Sequence, residues 1–173
     1  RAAISAALIS GSGVADLSLS AQDGLRIEGG VALNLQRELS LDAPLLQMQG
    51  ADSASLRAAQ LRWVNTQLPV QTNSQTRAPA AASGGQAQLQ LQAEQMVLDG
   101  RMASQGLGQL ALRSSGDLRL QSRSVEAGQL RGSLLTGADL ELSAAQIFPA
   151  TDTLFTIDAS GRSVRTGGGD KNA

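Results

Sequence analysis

The chain contains no cysteine, no histidine and no tyrosine. Without cysteine there is no disulfide framework, no thiolate nucleophile and no thiolate-bound zinc. Without histidine the Ser-His-Asp relay and imidazole-ligated metals are excluded, and the missing tyrosine removes another proton-transfer group. Aromatic residues make up only 2% of the sequence, too few to line a groove with stacking platforms. Lysine occurs once, at Lys171, and 14 basic residues face 15 acidic ones, with arginines scattered singly from Arg26 to Arg165. No basic stripe exists to hold a phosphate backbone, so nucleic acid is not an expected partner. Apolar runs are short as well. None approaches the ~18 residues a membrane helix needs, and Arg1 to Ile9 is too short and too poorly flanked for a signal peptide.

What is present is a rhythm. The 173 residues are 42% apolar, mostly Leu and Ala, and a chain of this length supports one domain with a real core. Ala15-Asp16-Leu17-Ser18-Leu19-Ser20-Ala21 returns 22 residues later as Arg37-Glu38-Leu39-Ser40-Leu41-Asp42-Ala43, and again as Ala59-Gln60-Leu61-Arg62-Trp63. The series resumes at Gln88-Leu89-Gln90-Leu91 and Gln109-Leu110-Ala111-Leu112. A second series runs through Leu25-Arg26-Ile27, Leu46-Gln47-Met48, Met96-Val97-Leu98, Leu118-Arg119-Leu120 and Leu140-Glu141-Leu142. A third, weaker set includes Leu33-Asn34-Leu35 and suggests three sides. Each unit alternates with period two, as a strand with one buried face does, and Gly, Ser, Asp and Asn mark the bends between units.

Recurrence at constant phase favours stacked rungs over hairpins. The expected fold is all-β, a right-handed parallel β-helix of roughly 22-residue rungs, with six or seven rungs making a rod about 30 Å long. One internal wall is expected to hold Leu17, Leu19, Leu39, Leu41, Leu61, Leu89, Leu91, Leu110 and Leu112. A second is expected to hold Leu25, Ile27, Leu46, Met48, Met96, Leu98, Leu118, Leu120, Leu140 and Leu142. Ser55 to Leu68 also reads as an amphipathic helix, although its phase matches the repeat. The domain is expected to span 1–166, with an inserted Pro-, Ala- and Ser-rich loop at 69–85 and a disordered tail at 167–173. No polar capping helix is evident at either end, so end-to-end self-association or dependence on flanking rungs is expected.

Candidate chemistry is thin. Acidic residues fall at repeat positions, Asp16 with Glu38 and Asp117 with Asp139, where a solvated corner is the plainer reading and a cation- or sugar-binding carboxylate pair the sharper one. Gly167-Gly168-Gly169-Asp170 opens like a calcium-binding nonapeptide but occurs once, and Gly11-Ser12-Gly13 lacks the spacing of a phosphate loop. Trp63 falls at an inward phase and is expected to fill core. Arg119 and Glu141 occupy matching outward positions and are expected to form an exposed cross-rung ion pair. No catalytic, cofactor or metal residue is assigned. Loops that interrupt repeats commonly carry binding, which singles out Gln71, Asn73, Gln75 and Arg77 as a partner-binding loop.

The Asp16-Leu17, Asp117-Leu118 and Asp139-Leu140 units, with the stretch from Leu142 through Phe148-Pro149-Ala150-Thr151 to Ile157, resemble the repeat region of filamentous-haemagglutinin-type exoproteins. The likeness covers Ala15 to Val164, in rhythm more than in letters outside the last stretch. It implies a Gram-negative protein exported by two-partner secretion through an outer-membrane β-barrel transporter and folded outside as a β-helical fibre. Such a protein is secreted or held at the cell surface, where it mediates adhesion to a receptor or presents a distal effector. This chain would be one structural length of shaft without enzyme activity. The alternative is a fragment of a β-helical polysaccharide lyase or glycoside hydrolase, a fold-level analogy weakened by the missing His, Tyr and aromatic row.

Overall fold

The structure, a computed structural model, describes residues 5–66, 81–126 and 128–168. A six-residue helix, α1 (Ala6–Gly11), comes first. Then follow β1 (Asp16–Ser20), β2 (Leu25–Arg26), β3 (Ala32–Asn34), β4 (Glu38–Asp42), β5 (Leu45–Gln47) and the long β6 (Ser53–Val64). After residue 81 come β7 (Ser83–Asp99), β8 (Arg101–Ser114), β9 (Asp117–Gln121), β10 (Val125–Glu126) and β11 (Gln129–Leu135). The order closes with β12 (Asp139–Ala144), β13 (Gln146–Pro149), β14 (Thr153–Asp158) and β15 (Val164–Gly168). All belong to one sheet, and every pairing except the β10–β11 hairpin is parallel.

Pairing sorts the strands into three ladders. Ladder I runs β1, β4, the second half of β6, the second half of β7, β9 and β13. Ladder II runs β2, β5, the start of β8, β11 and β14. Ladder III runs β3, the first half of β6, the first half of β7, the rest of β8, β12 and β15. The chain visits I, II and III in that cyclic order, except that among the described residues β6 ends in ladder I and β7 begins in ladder III. Parallel partners need a crossover between them, and here the crossover from one strand to its neighbour is the passage through the other two ladders.

Alternation explains the burial. In β4, Leu39 and Leu41 are buried while Ser40 is half-buried between them. The alternate leucines of all three ladders join one hydrophobic cluster, and each fully buried leucine contributes about 1.5–3 kcal/mol from apolar area removed from water. Ser55 to Leu68, which also read as a helix, is strand as far as Val64.

The composition of the walls differs from the sequence expectation. Leu17, Leu39 and Leu61 do stack in register, as do Leu19, Leu41 and Trp63. Beyond them ladder I continues through Met96, Leu118 and Ile147, and through Leu98 and Leu120. Leu89, Leu91, Leu110 and Leu112 lie instead in ladder III, between Ala54–Leu56 and Leu140–Leu142. Leu25 and Leu46 pair with each other in ladder II, apart from Met96 and Leu118. The cause is the break in period: Leu61 pairs with a residue 35 positions on, so counting in steps of 22 across the interruption assigns the later units to the wrong ladder.

Several boundaries also shift. β7 begins at Ser83 and therefore takes in Gly84 and Gly85, which the inserted loop was expected to include. β15 takes in Gly167 and Gly168, expected to be tail. A short helix, not expected from the sequence, lies near the amino-terminal end, where α1 packs beside β3 and Ile9 rests against the core cluster.

Candidate functional site

The four expected loop residues Gln71, Asn73, Gln75 and Arg77 lie outside the described residues. Their flanks are firmly held. Asn65 is 91% buried at the corner between ladders I and II (9% exposed) and donates from Nδ2 to the Arg101 carbonyl at 2.6 Å. Thr66 donates to the Asp42 carboxylate from its backbone N–H at 2.9 Å and from its hydroxyl. On the return, the Ala81 carbonyl accepts from Gln105 Nε2 at 2.6 Å, and Gln105 Oε1 accepts from Gln47 Nε2 at 2.8 Å.

The carboxylates do not gather. Asp16 and Glu38 are register neighbours, but Asp16 is engaged by Arg37, whose guanidinium is held above its ordinary range by that hydrogen bond and charge. Asp117 and Asp139 sit on different ladders, I and III, opposite Gln146 and Gln109. Asp139 is held below the ordinary carboxylate range, first by the Ser163 backbone N–H at 3.0 Å, then by its hydroxyl at 2.8 Å, with a smaller contribution from Arg162 and Arg165. Asp99 is buried at the I–II corner and satisfied by Gln121 Nε2 at 2.9 Å and Arg123 Nε at 3.1 Å. Among the described residues no three Asp or Glu side chains cluster as metal ligands would.

The expected Arg119–Glu141 pair is not formed. Arg119 lies in ladder I between Val97 and Phe148, whereas Glu141 lies in ladder III. Its partner is Arg113, which donates to both carboxylate oxygens at 3.0 Å. The slip has the same origin as the permuted walls. Trp63 is fully buried, and its Nε1 donates to the Ala43 carbonyl at 3.0 Å, which makes it core and satisfies its one polar atom.

One surface feature escaped the sequence reading. A cleft of about 370 Å³ crosses the outer face of ladder III over β3, β6, β7 and β8. Its polar lining is Ser53, Ser55, Gln88, Gln90 and Gln109, with the small residues Ala32 and Ala111 opening the floor and Arg113 at the rim. The signal lay in outward residue sizes across four strands, which becomes visible only when the ladder order is known. Among the described residues, no helix is long and apolar enough to cross a membrane. Comparison with family models, with curated proteins and with solved structures finds no match for the chain.

Proposed function

We propose that the three ladders close into a right-handed parallel β-helix and that this segment is a non-catalytic length of shaft in a large secreted or surface-exposed exoprotein of the filamentous-haemagglutinin type. The observation that carries the reading is the recurrent I–II–III passage with parallel partners at offsets of 21 to 24 residues wherever no insertion intervenes. A chain that coils in this way grows by repetition, each added circuit burying its leucines on the last. The rhythm from Ala15 to Val164 and the Leu142 to Ile157 stretch supply the family likeness. Export through an outer-membrane β-barrel transporter, a surface location and a role in adhesion or effector display follow from that likeness. The test is the genomic setting. A very long reading frame beside an outer-membrane transporter gene is expected, and a short complete gene within a metabolic operon overturns the proposal.

No observation favours the polysaccharide lyase or hydrolase alternative. Of the two carboxylate pairs considered for cation or sugar binding, Asp117 with Asp139 is divided between two ladders, and in the other Asp16 is engaged by Arg37. Incubation with acidic polysaccharides and calcium, read by ultraviolet absorbance of unsaturated products, tests that alternative directly.

A further inference from the structure

The outer face of ladder III carries a cleft lined by polar side chains. A few glutamines are engaged internally: Gln47 and Gln105 bond to each other, and Gln121 bonds Asp99. Among the described residues, the side chains of Ser53, Ser55, Gln88, Gln90 and Gln109 make no hydrogen bond within the protein. They stand in register. Ser53, Gln88 and Gln109 form one row across the strands, and Ala32, Ser55, Gln90 and Ala111 the next. Size alternation across the second row creates the depression: a glutamine rises between residues that carry no more than a hydroxymethyl group.

Chemistry narrows the ligand. Beneath the cleft β6, β7 and β8 are paired on both sides and their backbone groups are spent, so among the described residues an extended peptide has an edge to join only at β3, which pairs with β6 alone. Over the three paired strands recognition must run through carboxamides and hydroxyls, each both donor and acceptor, with alanine methyls as apolar floor. The one cation at the rim, Arg113, is matched by Glu141 through two bonds of 3.0 Å, so the cleft offers no net positive field to an acidic ligand. Residues within each row follow one another at the strand spacing of about 4.8 Å, close to the advance of one sugar residue in an extended polysaccharide.

We propose that this cleft binds an uncharged polysaccharide laid across the strands, with successive sugar residues facing successive carboxamide and hydroxyl groups. The proposal stands on ladder III alone and does not depend on the chain belonging to a secreted fibre.

The test uses the whole 173-residue chain. Cellohexaose, maltohexaose and chitohexaose serve as uncharged probes, and oligogalacturonate and a heparin hexasaccharide as acidic ones, each titrated by calorimetry and by saturation-transfer NMR. Saturable binding of at least one uncharged hexasaccharide is expected, with the corresponding disaccharide weaker. Gln90→Ala, and separately the double change Gln88→Ala with Gln109→Ala, should weaken it roughly five- to tenfold. Gln60→Ala, on the outer face of ladder I, should leave it unchanged. Ala111→Gln, which fills the floor, should abolish it while the circular dichroism stays that of the parent. Absence of binding by every uncharged probe, binding of the acidic probes alone, or affinities indifferent to the cleft variants would overturn the proposal.

Discussion

Ladders I and II are built by the same chain under the same rules, yet among the described residues the second has one strand fewer. Among the described residues ladder I has six strands, and its columns pass from Leu17 through Leu39, Leu61, Met96 and Leu118 to Ile147. Ladder II has five. Its β5 pairs directly with β8, 58 residues on, where a repeat of 22 would place another strand between them. Both interruptions of the period fall at one corner. The period is interrupted after Val64 and again after Gln121, each time at the end of a ladder I strand, where the repeat would place a ladder II strand next. The second departure is the β10–β11 hairpin. That corner is polar, with Asn65, Asp99, Gln121, Ser122 and Arg123 bonding one another or nearby carbonyls. Polar groups there can meet the backbone of a departing chain, whereas a departure within a leucine column would expose apolar area. Ladder I therefore carries stability and the I–II corner carries tolerance.

Breaking ladder I should have the largest effect. Trp63→Ala removes a fully buried ring and orphans the Ala43 carbonyl, and should cost about 3–5 kcal/mol, measured as a shift in the urea midpoint. A loss below about 1 kcal/mol would show that the ladder I column is not the main source of stability.

Next comes the corner between ladders II and III, which must turn sharply and cannot tolerate change as the I–II corner does. Gly106 turns it with φ +77°, and an added Cβ would fall 1.9 Å from the Met48 carbonyl oxygen. Gly106→Ala should cost at least about 2 kcal/mol, the sum of left-handed strain and steric displacement, and the same denaturant titration checks it.

At the tolerant corner the expected effect is small. Val125, in the hairpin, is 68% exposed, and Val125→Ser should change stability by less than about 0.5 kcal/mol. Replacing 67–80 by a short Gly-Ser linker should shift stability by about 1 kcal/mol or less, since loop-closure entropy depends only weakly on length. A large loss from either change would remove the distinction between the two ladders.

The smallest effect concerns the last strand. Asp139 ties β12 to Ser163, just before β15, and its carboxyl is held low by accepting from the Ser163 N–H and hydroxyl. A lowered folded-state value means the stabilisation is present above the unfolded carboxylate range, near pH 4, and is lost as pH falls through the folded value. Thermal melts of the parent and Asp139→Ala should differ at about pH 6 and converge as the pH falls through the lowered folded-state value. A difference that persists at the acid end would show that the contribution is not ionic.

How much was legible follows from what each signal depends on. Leu-x-Leu alternation and its 22-residue return are local, so strand identity, parallel stacking of Leu17 on Leu39 on Leu61, and the inward Trp63 could be read directly. Ladder membership after the first interruption could not. Gln88-Leu89-Gln90-Leu91 and Ala59-Gln60-Leu61 are chemically interchangeable units, and nothing within either says which ladder it joins. The Arg113–Glu141 pair and the ladder III cleft were hidden for the same reason, since each arises between residues that become neighbours only once ladder membership is set. The sequence by itself determined the strands, their buried faces and their repeat, because alternation and period are properties of the chain. Only the tertiary structure decided which strand lies beside which, because parallel hydrogen bonding and a shared core select the partner, and an insertion erases the count that would otherwise predict it.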